Sequence, residues 1–376
     1  MKKVCCLLFF ALLPILAEAQ YERILNNPDV IWAAEIDVKY YLRPPLPSDS
    51  AEQNDIIFWK NYDPKNRTPY EGSEMLMEKI LAAARSGEWP AWQFAGESVD
   101  VKSLDPFGEG LQLADTVGQL SLDGVARTLD SYGLCVAFNA ETGEDEVKET
   151  PHTWDITTWY AIRAKQLLYF DENKGDFELL TFAIAPVRLF KRYEYDRKIG
   201  ENKVYLSDFI PFWLKMPNFS KKKSRKQPSV DDSNISWAAQ IKTLDNSPRL
   251  ESLRPLKNLK PPVMQVLLDR FRTDAKFKVY DTAGEPIPFE TRYDMLLSID
   301  TLIMINAETY EEKIEVEKNE LRAEDFPHLR LIQNWYWDDR QRRLVIHLQE
   351  FAPVITEIRS LGYFRYDRPL FYRRKK

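Results

Sequence analysis

The chain has 376 residues, 44% hydrophobic and 13% aromatic, with a formal net charge of −6. That is enough apolar content to build two packed domains. The acidic balance argues against broad nucleic-acid binding, which requires a net basic face.

The first segment reads as an export signal. Met1-Lys2-Lys3 is positive, Val4 to Leu16 is apolar, and Ala17-Glu18-Ala19 is an A-x-A cleavage pattern ahead of Gln20. This is the three-part layout of a secretory signal peptide, and its apolar run is shorter than the roughly 20 residues of a membrane span. The expected mature chain starts at Gln20, cleaved after Ala19. It carries no lipid, because a lipoprotein cysteine follows the apolar run and Cys5 and Cys6 do not. Removing residues 1–19 takes away two Lys and one Glu, moving the net charge to −7. It leaves Cys135 alone, which excludes an intramolecular disulfide and a cysteine-based metal site. No later stretch approaches 18 uninterrupted apolar residues, so no transmembrane helix is predicted. The expected location is the bacterial periplasm or beyond.

The mature chain divides into a first α+β unit at 20–214, a basic linker at 215–233 and a second α+β unit at 234–376. Ile31-Trp32-Ala33-Ala34-Glu35-Ile36 opens the first as a strand after the turn residues Asn26-Asn27-Pro28-Asp29. Met77, Ile80, Leu81 and Ala84 follow at i, i+3, i+4, i+7, one stripe of a helix. Gly87 is placed to end it, since glycine takes the left-handed conformation without steric cost. The segment 97–149 reads as a long inserted loop. Trp159 to Phe170, a turn at Asp171 to Gly175, and Phe177 to Val187 read as a β-hairpin. In the linker, Lys221 to Lys226 carries five positive charges in six residues, a solvated run that could also meet an acidic partner or lipid headgroups.

The second unit repeats this order. Ser236-Trp237-Ala238-Ala239-Gln240-Ile241 follows Asp231-Asp232-Ser233-Asn234. Val263, Val266, Leu267 and Phe271 form the helical stripe. Leu329 to Trp337, a turn at Asp338 to Gln341, and Arg342 to Val354 form the hairpin, with Arg343, Val345, His347 and Gln349 on an alternate, solvated face. Ala185-Pro186-Val187 and Ala352-Pro353-Val354 match at an offset of 167, which also lays Tyr169-Phe170-Asp171 on Tyr336-Trp337-Asp338. Pro186 and Pro353 are expected to end their strands, since proline cannot donate to a ladder. The pattern implies two diverged copies of a strand–helix–hairpin unit, the first with about 38 extra residues in loops. The tail alternates aromatic residues with arginine: Tyr363, Phe364, Arg365, Tyr366, Arg368, Phe371, Tyr372 and Arg373. It either folds back on the domain or docks a partner, and it is the candidate docking segment because Tyr and Arg dominate binding hot spots.

The search for chemistry yields no catalytic, cofactor or metal assignment. His152, His328 and His347 have no zinc-ligand spacing, and no H-E-x-x-H, G-x-S-x-G, P-loop or G-x-G-x-x-G occurs. Asp171 and Asp338 are explained by turn chemistry. Glu141 to Glu146 lacks the alternating oxygen ligands of a calcium loop. The reading is a non-enzymatic binding protein. A secreted carbohydrate-binding protein is one alternative, since aromatic residues also line sugar grooves. A periplasmic hydrolase with a carboxylate pair is another.

Pro28-Asp29-Val30-Ile31-Trp32-Ala33-Ala34-Glu35-Ile36 resembles the opening of the GldN/PorN family of gliding-motility proteins. So do Leu167-Leu168-Tyr169-Phe170-Asp171 with Ile184-Ala185-Pro186-Val187, and Asn334-Trp335-Tyr336-Trp337-Asp338-Asp339-Arg340-Gln341 with Phe351-Ala352-Pro353-Val354. The resemblance implies a periplasmic component of the type IX secretion and gliding machinery of Bacteroidetes. Its implied partners are an outer-membrane lipoprotein of the GldK/PorK type, with which it forms a large ring, and an inner-membrane protein of the GldM/PorM type. It implies no enzymatic activity, no cofactor and no catalytic residue.

Overall fold

The computed structural model describes residues 21–42, 56–60, 71–94, 116–129, 132–139, 144–151, 156–196, 201–216, 228–243, 254–258, 262–305, 312–359 and 364–375. After a helical turn at 21–25 come β1 (Val30–Tyr41), β2 (Ile56–Lys60), α1 (Glu71–Arg85), β3 (Ala91–Phe94), β4 (Thr116–Gln119) and α2 (Leu122–Leu129). They are followed by β5 (Tyr132–Asn139), β6 (Glu144–Pro151), β7 (Trp159–Asp171), β8 (Asp176–Asp196), β9 (Glu201–Phe209) and β10 (Phe212–Lys215). The second half holds β11 (Ile235–Lys242), β12 (Arg254–Asn258), α3 (Val263–Thr273), α4 (Arg292–Met295), β13 (Leu297–Ile305) and β14 (Glu312–Glu320). It ends with β15 (His328–Asp338), β16 (Arg343–Arg359), β17 (Phe364–Pro369) and β18 (Arg373–Arg374). The fold is α+β, with two large antiparallel sheets and few helices.

The first sheet runs β12-β1-β7-β8-β10-β3-β4, with β9 beside β8; the second runs β17-β16-β15-β11-β2, with β18 beside β16. Each sheet thus contains one strand from the other half of the sequence. β2 leaves the first half to pair with β11, and β12 leaves the second to pair with β1. The helices cross over as well. Trp237 Nε1 donates to Gly72 O in α1 at 2.6 Å, Trp89 Nε1 donates to Arg342 O at 3.0 Å, and Lys79 pairs with Asp339 at 3.0 Å. In the opposite direction, Arg270 of α3 donates to Glu172 O at 3.2 Å and lies over the Phe170 ring. The 20–214 and 234–376 segments are therefore interlocked, and one hydrophobic core draws on both.

The registers of the two halves coincide. Trp32 pairs with Phe170, and Trp237 with Trp337. Gln166 pairs with Thr181 and Gln333 with Leu348, each directly after a register shift, and Pro186 and Pro353 occupy matching places. The lead-in turns match too: Asp29 N donates to Asn27 Oδ1 and Asn234 N to Asp232 Oδ1. Each crossing strand is anchored by the same contact, Lys257 Nζ to Asn27 O at 2.7 Å and Lys60 Nζ to Asp232 O at 2.8 Å.

Alternation explains the core. Trp32, Ala34, Ile36, Val38 and Tyr40 of β1 point inward, as a half-buried strand requires. Helix α1 buries Leu76, Met77, Ile80, Ala83 and Ala84, and α3 buries Val263, Met264, Leu267, Leu268 and Phe271, with Leu81 and Val266 partly buried. Gly87, at φ 73°, follows the end of α1.

Three sequence expectations change. Pro186 and Pro353 do not end their strands; β8 runs on to Asp196 and β16 to Arg359. Pro353 accepts from Leu370 N, so its missing donor faces the gap between β17 and β18, where the ladder is already broken. The stretch 97–149 is not all loop. It includes β4, α2, β5 and part of β6, and Gly124 N donates to Ser121 Oγ at the start of α2. An eight-residue helix has too few turns to register as a periodic pattern. The tail carries β17 and β18. Residues 217–227, including Lys221 to Lys226, and residues 1–20 lie outside the described residues.

Candidate functional site

At the centre, where the two sheets meet, the matching glutamines Gln166 and Gln333 bond to each other. Gln166 Nε2 donates to Gln333 Oε1 at 3.3 Å, and Gln333 Nε2 donates to Gln166 Oε1 at 3.4 Å. Tyr40 donates to Gln166 Oε1 and accepts from Gln333 Nε2, both at 2.6 Å, and Trp335 Nε1 donates to Gln333 Oε1 at 3.0 Å. Burial pushes the Tyr40 hydroxyl pKa up against these bonds, so it is a neutral link in a closed network. Tyr40, Gln166, Gln333 and Trp335 are all buried, and the network ties the two halves together.

The tail belongs to the fold. β17 and β18 pair with β16, and Leu370, Phe371 and Tyr372 are buried. Phe371 stacks on Phe271 with centroids 4.5 Å apart, Tyr372 exchanges backbone hydrogen bonds with Tyr280, and Arg373 forms an ion pair with Asp176 at 2.6 Å. Side chains held this way cannot dock a partner without leaving the core. Arg368 is half-buried; of Phe364, Arg365 and Tyr366 only the strand backbone is described, and Tyr363 lies outside the described residues. β17 and β18 pair with β16 as β9 and β10 pair with β8. Asp208, Phe212, Trp213 and Lys215 match Asp367, Phe371, Tyr372 and Arg374 at an offset of 159, a signal legible in the sequence that the shorter motifs eclipsed.

Asp171 and Asp338 serve their own turns, accepting from Lys174 N at 3.1 Å and Gln341 N at 2.9 Å. His328 is buried in β15 and His347 half-buried in β16; His152 lies outside the described residues. Among the described residues, no group of three or more His, Cys, Asp or Glu is arranged to hold a metal ion. No helix among them is long and apolar enough to cross a membrane.

The outer faces of the two sheets differ sharply. On the first, the turn at 21–25 lies over β1 and β7, and Tyr21 donates to Glu35 Oε1 at 2.5 Å. Tyr21, Ile24 and Leu25 cover Leu167, Tyr169, Leu180 and Phe182. Farther along this face Lys39 pairs with Asp208 at 2.8 Å, and the buried Lys165 lies 4.4 Å from the centroid of the Trp213 ring. On the second sheet the matching positions are Gln240 for Glu35, Asn334 for Leu167, His347 for Leu180 and Gln349 for Phe182. Gln240 Nε2 donates to Asn334 Oδ1 at 3.2 Å, and Asn334 Nδ2 donates to Gln349 Oε1 at 3.2 Å, an amide ladder across three strands. Beside it on β2, Ile57 is 58% and Trp59 36% exposed. The Trp59 ring lies 6.2 Å from that of Tyr336. Burial lowers the His347 pKa, helped by Lys375 and opposed by Glu178, which favours the neutral imidazole. None of these polar residues was singled out as a candidate site from the sequence, because only the alignment of registers reveals what each replaces.

A scan against models of protein families finds no match, and a search of curated proteins finds no relative of this chain.

Proposed function

We propose that this chain acts by binding, as a non-enzymatic assembly component of a type IX secretion or gliding complex in the bacterial periplasm. In this reading it is built from two diverged copies of one α+β unit. The observation that carries the reading is the reciprocal exchange of a strand and a helix between the halves. It fuses both into one core whose two outer sheet faces differ in chemistry, which is what a scaffold that meets different partners needs.

Three further points support it. The Trp strands and Ala-Pro-Val motifs that carry the GldN/PorN resemblance lie at matching register positions. The lead-in turns and anchoring lysines match in both halves. The opening residues have the layout of an export signal. The partners proposed are an outer-membrane lipoprotein of the GldK/PorK type, in a large ring, and an inner-membrane GldM/PorM-type protein. A standard interface buries about 800 Å² per partner, so one protomer has room for both.

The test is gentle capture of the tagged protein from native envelope, followed by mass spectrometry, together with deletion of the gene. Capture of both partner types and loss of secretion and surface motility are expected. Intact secretion and motility in the deletion strain would overturn the proposal. Intact-mass measurement of the envelope protein should give a chain starting at Gln20 with no diacylglycerol.

A further inference from the structure

β12 and β2 hold matching places and each ends its sheet, but their edges are not alike. Arg254 and Pro255 pair with Glu35 and Ala34 of β1, and Ile57 and Phe58 pair with Gln240 and Ala239 of β11. So Arg254-Pro255-Leu256 stands in one sheet where Ile57-Phe58-Trp59 stands in the other. An edge strand offers unpaired N–H and C=O groups to any other chain, and proteins guard such edges with charge, proline or short length. β12 has Arg254, Pro255 and Lys257. The other two end strands of the large sheets follow the same rule, since β17 carries Asp367, Arg368 and Pro369, and β4 is four residues long with Gly118 among them. β2 does not follow it. Ile56 to Trp59 holds neither charge nor proline, Ile57 is 58% and Trp59 36% exposed, and among the described residues no strand pairs with its outer edge. Lys60, its one charge, is engaged with Asp232 O at 2.8 Å.

We propose that β2 pairs antiparallel with β2 of a second copy of this chain, in a two-fold dimer centred on Phe58. Pro255 shows that the ladder needs no donor at this register position, so the same place in β2 has an N–H left for a strand on the outside. Centring on Phe58 lets the two copies exchange N–H···O bonds there. It also lays Ile57 opposite Trp59 of the second copy on both sides of the axis. These are the two exposed apolar residues of the strand, and an aromatic residue against a β-branched one is a favourable cross-strand pair. Trp59 is already steadied by the Tyr336 ring, 6.2 Å away. The two Lys60 residues fall at opposite ends of the pair, each facing Ile56, so no like charges meet. The strand therefore complements itself, which an isologous contact requires. β12, with its proline and cations, cannot take the place of β2, so association closes at two copies. Five residues make an edge of about 17 Å, and a contact of that length is smaller than a standard interface, so the dimer exchanges with monomer. This goes beyond the proposed envelope partners and needs neither of them.

The test is sedimentation velocity of the purified full mature chain over a wide range of concentration. A monomer–dimer equilibrium with no larger species is expected. Ile57→Arg and Phe58→Pro, which copy the guard of β12 into β2, should each weaken the dimer at least about tenfold, or about 1.4 kcal/mol. Circular dichroism checks that both variants fold. Leu256→Arg, on the matching strand of the other sheet, should leave the equilibrium unchanged. In a Cys135→Ser background, Phe58→Cys should give a disulfide-linked dimer on mild oxidation, since directly opposed residues of a hydrogen-bonded strand pair lie about 5.5 Å apart at Cα, within disulfide reach. Leu256→Cys should give none. A chain that stays monomeric at every concentration, a dimer indifferent to Ile57→Arg, or growth beyond two copies overturns the proposal. So does a monomer that captures an extended peptide at β2, which would assign the edge to a different protein. The purified chain is the only component, so a failed capture experiment and a failed dimer experiment are separate results.

Discussion

Gln166 and Gln333, 167 residues apart, exchange amide hydrogen bonds at 3.3 and 3.4 Å in the middle of the core. Each is the other's counterpart by register, so one residue type satisfies itself across the junction. Gln333→Leu would strand the Trp335 indole N–H and remove a donor from Tyr40. Leaving buried polar groups unsatisfied costs about 1–3 kcal/mol. The double change to Leu at both positions should cost less than the sum of the single changes, because each single one orphans the other's partner. Urea unfolding of the four proteins measures this; additive costs would mean that the two amides act independently.

Deleting residues 363–376 should destabilise the protein severely. The deletion removes β17 and β18, uncovers β16, and takes Phe371 out of its stack with Phe271. Phe371→Ala alone should cost about 3–5 kcal/mol, the range for a large buried aromatic. A truncated chain that melts at the native temperature would restore the tail as a detachable docking arm.

Trp32 and Trp237 illustrate what was legible in the sequence. Both were visible as paired anchors of strands, and both are buried in those strands. Local pattern was enough for that, since alternation and turn residues act within a few positions. It was not enough for the exchange. Nothing local in Ile56 to Lys60 or Arg254 to Asn258 tells which sheet each will join, because the choice is made by distant contacts, such as Lys60 to Asp232 O, 172 residues away in sequence, and Lys257 to Asn27 O, 230 away. The amide ladder stayed hidden for the same reason, as Gln240, Asn334 and Gln349 are ordinary polar residues in the sequence until strand pairing joins them. Trp32→Ala and Trp237→Ala should each cost about 3–5 kcal/mol. Trp237→Ala should cost more by about 1 kcal/mol, because it also loses the bond to Gly72 that ties α1 to the second sheet. Equal costs in a denaturant series would show that this tie adds little.

His347 should make the protein sensitive to mild acid. Burial, reinforced by the positive charge of Lys375, holds its folded pKa below the ordinary 6.5, while Glu178 opposes the shift. The unfolded chain therefore binds a proton more readily than the folded one. Stability linked to His347 is present in full above the unfolded pKa, and falls progressively as pH drops from about 6.5 towards the folded value. Melting temperature should decline over that window in the wild type, and His347→Gln should flatten this part of the decline while keeping an uncharged hydrogen-bonding group in β16. Lys375→Ala should flatten it less, since it removes only the second cause and also releases Glu178 from its ion pair. A wild-type profile that superimposes on that of His347→Gln between pH 5 and 7 would show that another group governs acid sensitivity.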